Sequence, residues 1–154
     1  MNTVDTPTRV DAVARFCAAA GANDLEGMLA TLAPDAELIS PLSARLVIRG
    51  RADLGVLLGA VYSSLSDLRW EAHTSEGSFA SVIGAARSSG MRVDDALVFE
   101  LGPDGSIVRL RPHLRPWLGT TVFALKLGLK LAPHAGVMLR AARAGAAARH
   151  SRSS

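Results

Sequence analysis

The chain has 154 residues, 49% of them apolar. That is enough for one domain with one core and too apolar for a wholly disordered chain. Its single cysteine, Cys17, excludes an internal disulfide and a cysteine-based metal site. The net charge of +3 is unevenly spread. Residues 1–104 carry 8 arginines against 14 acids, a balance of −6, while residues 105–154 carry 9 Lys or Arg and no acid, a balance of +9. An acidic body with a basic end is expected.

The first stretch, "MNTVDTPTRVDAV", has no apolar signal core, which predicts a soluble, cytoplasmic protein. From Thr6, an N-cap, and Pro7, suited to a first turn, a helix is predicted to run to Gly21. Val10, Val13, Cys17 and Ala20 form its stripe, with Phe16 beside it. Cys17 reads as a small buried apolar residue rather than a nucleophile. Asp24 is placed to cap a short second helix, "DLEGMLATL", with Leu25, Met28, Leu29 and Leu32 inward. "APDAELISPL" and "ARLVIRG" read as extended pieces. "RADLGVLLGAVYSSLSD" reads as a third helix that buries Leu54, Leu57, Leu58, Val61 and Leu65.

The period then changes to alternation. "LRWEAHTS", "GSFASVIGAARSS", "MRVDDALVFEL" and "GSIVRLRPHL" are four strand candidates separated by Glu76-Gly77, Ser89-Gly90 and "GPDG". Together these segments predict an α+β fold: three N-terminal helices packed on a curved, mostly antiparallel, cone-like sheet. Within the last strand Arg109, Arg111, His113 and Arg115 share one face, and Val108, Leu110, Pro112 and Leu114 the other. Residues 1–116 form the expected domain. Residues 117–149 are expected to add a C-terminal helical hairpin, "LGTTVFALKLGLKL" turning at Pro133 into "HAGVMLRAARAG", and residues 150–154 a disordered tail. In the first of these helices Leu118, Val122, Leu125 and Leu129 fall on one broad face, with Gly119, Lys126 and Lys130 as a polar stripe.

"AVARFCAAAGANDLEGMLATLAPDAELISPL", "IRGRADLGVLL" and "VFELGPDGSIVRLRPHL" follow an order that resembles the nuclear transport factor 2 superfamily, and within it the SnoaL-like and ketosteroid isomerase-like proteins. The resemblance spans roughly residues 8–115 and implies a cone-shaped pocket. It does not carry over the acid–base sets of these relatives. The isomerases' tyrosine and two carboxyl positions correspond to Phe16, Ser40 and Leu97, none of which supplies that chemistry. The last-strand aspartate of the cyclases and epoxide hydrolases corresponds to Pro112, and a middle-strand arginine and aspartate to Ile83 and Ala85.

By the same alignment the cavity wall comprises Phe16, Ser40, Trp70, Ile83, Ala85, Arg87, Val93, Asp95, Leu97, Phe99, Leu110 and Pro112, and the basic row lies on the outer sheet face. An apolar wall of this kind suits a polyketide-, steroid-, terpenoid- or acyl-like ligand, or else simply fills a core. Arg87 and Asp95 are the charged residues of inward parity. They form either a rim ion pair or a group that orients the ligand, with Asp95 as a candidate acid–base residue. A strand slip of one residue would instead bring Arg111 and His113 inside. Four functional expectations follow. The first is a small-molecule-binding protein that is not an ordinary ketosteroid isomerase and carries no metal or cofactor. The second is an isomerase or cyclase with an atypical polar set. The third is an interaction module whose basic end meets a membrane or an acidic partner. A homodimer is the fourth, and the basic row is expected to pair with acids either within this chain, where Glu71 and Glu100 are candidates, or across that dimer. Without a recognition motif, nucleic acid is not expected.

Overall fold

The structure, a computed structural model, describes residues 6–43 and 45–150, with side chains outside residues 6–11, 117–119 and 148–150. Helix α1 (Thr6–Gly21) is followed by α2 (Leu25–Ala30), strands β1 (Leu32–Ile39) and β2 (Val47–Arg49), and helix α3 (Arg51–Tyr62). The meander of β3 (Ser66–Glu76), β4 (Phe79–Ser88), β5 (Met91–Leu101) and β6 (Ile107–Arg111) comes next, with a two-residue β7 (Leu114–Arg115). Helix α4 (Trp117–Leu131), a 3-10 turn (Ala132–His134) and helix α5 (Ala135–His150) complete the described chain.

The N-terminal helices follow their sequence signals with small shifts. Ala12, Val13, Phe16, Ala19 and Ala20 are the buried residues of α1, so Phe16 sits in the stripe and Cys17 at its half-buried edge. The Thr6 cap and the Val10 position lie outside the described side chains. Asp24 caps α2 by accepting the Gly27 N–H at 3.0 Å. Helix α2 is shorter than expected: Thr31 ends it and Leu32 opens β1, where it is fully buried.

The sheet has seven strands among the described residues, in the order β2-β1-β6-β5-β4-β3, with β7 beside β5. Every neighbouring pair is antiparallel except β1 and β6, which run parallel. The two-residue turn Ser89-Gly90, both with positive φ (51° and 80°), pairs Ser88 with Met91. Such primed hairpin turns match the twist of the flanking strands and need left-handed residues, which glycine adopts freely.

One sheet face packs against the helices. Phe16, Met28, Leu32, Leu54, Phe99, Ile107 and Leu110 are its fully buried centre. Phe16 meets the rings of Phe99 and Tyr62 edge-on, at centroid distances of 5.4 and 6.2 Å, a favoured aromatic geometry. The other face carries a ladder of alternating charge across four strands. Glu37 lies opposite both Arg49 and Arg109, and Arg109 lies opposite Glu100. Arg109 donates to Glu100 Oε2 at 2.7 Å and to Glu37 Oε2 at 3.3 Å, and Arg49 donates to Glu37.

The C-terminal segment departs from the expected hairpin. Instead of folding back on each other, α4 and α5 continue end to end through the 3-10 turn that contains Pro133. Proline is tolerated there because first-turn N–H groups have no helical acceptor. Helix α4 packs on α3, β4, β5 and β7, and α5 on β2. Phe123, Leu131, Val137 and Ala141 form the buried face, while Leu125 and Leu129 point outward at 67% and 79% exposure. The side chains of Leu118 and Gly119 lie outside the described set. Helix α5 ends at His150, and residues 151–154 of the expected tail lie outside the described residues.

Candidate functional site

The concave side of the sheet and the α4–α5 helices enclose a cavity of about 180 Å³. Helix α3 contributes Leu57, Leu58, Val61 and Tyr62 to it, and the lid helices Phe123, Leu127, Leu131 and Met138. The strands contribute Trp70, Gly84, Ala86, Val93, Asp95, Leu97 and Leu110. Trp70 lies against Gly84, where an added Cβ would come within 2.8 Å of the indole ring, and its Nε1–H is spent on the Cys17 carbonyl at 2.9 Å. Glycine at 84 is therefore what lets the indole lie flat on the strand.

Of the expected wall, Ser40, Trp70, Ala85, Val93, Asp95, Leu97, Leu110 and Pro112 line this space. Phe16 and Phe99 do not; both are fully buried behind it. Ile83 and Arg87 are on the opposite face. Ile83 is 45% exposed, and Arg87 lies 3.9 Å from Asp67, so the expected Arg87–Asp95 rim pair is not formed. The cause is the two-residue hairpin: pairs such as Ala86–Val93 and Gly84–Asp95 make even positions of β4 face with odd positions of β5. In β6 a bulge near Leu101 breaks the expected alternation, so Ile107 is fully buried and Val108 half-buried. That strand ends at Arg111.

The expected wall included none of the lid residues by number, although the apolar surface of residues 120–131, broken only by Thr120, Thr121, Lys126 and Lys130, signalled that the segment needed cover. Tyr62, on the inner face of α3, is both buried and part of the cavity wall.

Asp95 is the one carboxyl among the described lining residues. Burial raises it to about 6, partly opposed by the His113 backbone N–H and by the charge of that histidine. The N–H donates to Asp95 Oδ1 at 2.8 Å, and His113 Nδ1 lies 3.0 Å from the Ala96 carbonyl. The break at Pro112 thus turns the His113 amide toward Asp95. Burial also pushes the Tyr62 hydroxyl up, with the Asp95 charge adding to it, so this group is a hydrogen-bond donor at any ordinary pH. Ser40 Oγ accepts the Leu42 N–H at 3.3 Å and closes the turn after β1. The Cys17 thiol is pushed up to about 11 by burial, which keeps it protonated and a poor nucleophile. Among the described residues no group of three or more His, Cys, Asp or Glu is placed to hold a metal ion. Chemically, the site offers one carboxyl of raised basicity and one phenolic donor within an apolar wall.

With this geometry in place, the SnoaL-like domain family matches residues 13–110. The chain belongs to the SnoaL-like domain family. Similar solved structures agree on the fold. A bacterial protein of cystatin-like fold from Silicibacter pomeroyi has a TM-score of 0.78 at 18% identity, with 90% of this chain and 96% of that one covered. A steroid delta-isomerase from Pseudomonas aeruginosa has a TM-score of 0.76 at 20% identity, over 84% of this chain and 96% of that one. The epoxide hydrolase/cyclase-like enzyme SalBIII, of pyran ring formation in the polyether salinomycin, has a TM-score of 0.62 at 19% identity, over 75% and 95%. The first alignment covers more of the chain than residues 1–116 amount to, so the shared fold extends into the C-terminal helices of this SnoaL-like protein. No curated protein matches the sequence.

Proposed function

We propose that this SnoaL-like protein binds an apolar small molecule in the cavity under α4 and α5, with Asp95 as the polar group that orients it. The observation that carries this reading is the one carboxyl among the described residues of a largely apolar wall. Polyketide-, terpenoid-, acyl- and steroid-like compounds share the required chemistry, an apolar skeleton with few polar substituents. Size ranks them. A cavity of about 180 Å³ is below the ~300–1,000 Å³ of drug-sized sites, which favours a one- or two-ring terpenoid or a short acyl group over a steroid. Ala124→Phe, from the half-buried lid position that lines the cavity, should weaken binding of such a ligand by roughly tenfold or more while the fold is retained. Unchanged affinity, measured by thermal shift and calorimetry, would move the ligand elsewhere.

A second reading, an isomerase or cyclase, is favoured by the raised Asp95 carboxyl and the Tyr62 donor on one cavity wall. A base near 6 is better matched to neutral-pH proton transfer than an ordinary aspartate. The ketosteroid isomerase set is absent at Phe16, Ser40 and Leu97, so a β,γ-unsaturated ketosteroid should not be turned over efficiently. A true substrate should show kcat/KM rising with pH through an apparent pKa near 6, and Asp95→Asn should reduce turnover by about 10²–10⁴-fold.

A further inference from the structure

We infer that the outer face of α4 and α5 docks on an anionic lipid surface, with the cavity mouth toward the bilayer. The residues lining the cavity that are also exposed are Pro41, Leu42 and Gly128. They place the mouth between the loop after β1 and the last turn of α4. Gly128 lies next to Leu129 and one turn from Leu125. Six large apolar side chains are exposed on the described surface, and Leu42, Leu125, Leu129 and Leu139 are four of them. Leu139 follows Leu129 by nearly three turns once the 3-10 turn is counted, so the three helix leucines lie along one side. The apolar surface therefore gathers around the opening of an apolar cavity.

The polar groups decide between crossing a bilayer and lying on it. Residues Thr120–Ala147 are long and apolar enough to span by length and composition. However, Phe123, Leu131, Val137 and Ala141 are buried against the domain, Arg140 forks onto Asp53 at 2.6 and 2.7 Å, and Lys130 donates to Ser63 at 2.8 Å. The helices are held on the domain, and only their outer face is offered. Half-buried Lys126 and exposed Arg143 and Arg45 flank that face, and no acid follows Asp104 in the chain. Exposed leucines flanked by cations on helices that carry no acid of their own fit the interface of a negatively charged membrane. A protein partner of acidic surface would leave the leucines unmatched.

The test uses the full chain with phosphatidylcholine vesicles, with and without phosphatidylglycerol, in a flotation assay. Binding to the anionic vesicles only, weakened by added salt and by roughly tenfold or more in Leu125→Asp/Leu129→Asp, is the expected result. Circular dichroism checks that the variant is folded, and Leu125→Ser/Leu129→Ser replaces it if it is not. Phe79→Ser, which removes a 50% exposed ring on the sheet, should leave binding unchanged. Absence of binding to either vesicle, or binding indifferent to the leucine variants, overturns the proposal. So does a dimer in light scattering that the leucine variants convert to monomer, since the face would then belong to a second copy. Vesicle binding is read without any small molecule, so it stands or falls separately from ligand binding.

Discussion

Asp95 is a carboxyl held in place by one backbone N–H and surrounded by hydrocarbon. Its titration couples the cavity to stability. Unfolded, the group has a value of 3.8; folded, it is raised to about 6, so the native state binds the proton more tightly. The stability linked to this proton is fully present below about pH 4 and is lost as pH rises through about 6. Asp95→Asn keeps an acceptor for the His113 amide and removes the cost of ionisation. The variant should be more stable than the parent at pH 8, by an amount of order 3 kcal/mol, and show no such gain at pH 4. Melting curves at the two pH values check this. A gain of equal size at both would mean that ionisation is not the cause. Asp95 was legible as a candidate because its charge stands on the inward parity of an otherwise apolar strand. Its partner was not, because a backbone amide turned by Pro112 leaves no mark in side-chain identity.

At the scale of elements, α5 is held by its buried Val137 and Ala141 and by two further contacts that differ in kind. The Arg140–Asp53 fork is exposed on the arginine side and open to salt screening. Gly145 sits so close to the loop after β1 that any Cβ there would overlap the Arg45 carbonyl backbone. Backbone cannot yield as a long side chain can, so Gly145→Val should lift α5 off the loop, whereas Arg140→Ala should not. Tryptic cleavage at Arg143, followed by mass spectrometry, should quicken by roughly tenfold or more in the first variant and little in the second. The elements also show where the sequence could be read and where it could not. The change from helical to alternating period located β3, β4, β5 and β6. The faces of β4 were misassigned even though the information was there: a two-residue Ser89-Gly90 turn forces opposite parity on the strands it joins. The bulge near Leu101 left no comparable signal, and Ile107 moved inward unannounced. Pro133 carried a real signal, the end of α4, but proline suits the start of the next helical turn as well as a reversal, and only tertiary packing chose between them.

For the molecule as a whole, the lid helices are part of the core. Phe123, Leu131, Val137 and Ala141 are all at least 95% buried, and burying a large apolar side chain is worth about 1.5–3 kcal/mol. Their sum is comparable with the 5–15 kcal/mol that keeps a typical domain folded. Deleting residues 117–154 should therefore lower the melting temperature sharply, broaden the transition and raise ANS emission several-fold. A truncated chain that melts like the parent would show that the first 116 residues carry the stability alone. The parallel pairing of β1 with β6 has a temporal consequence. Glu37 must meet Arg109 and Leu38 must meet Leu110, so the strand that closes the core is separated from its neighbour by the whole meander. During synthesis the first helices and β1 leave the ribosome well before β6 exists, with Phe16, Met28 and Leu32 lacking their final cover. Closure of so distant a contact carries a high loop-entropy cost and belongs late in assembly. The nascent chain must stay soluble through that interval, and the acids concentrated in its first two-thirds supply the repulsion that keeps neighbouring nascent chains apart.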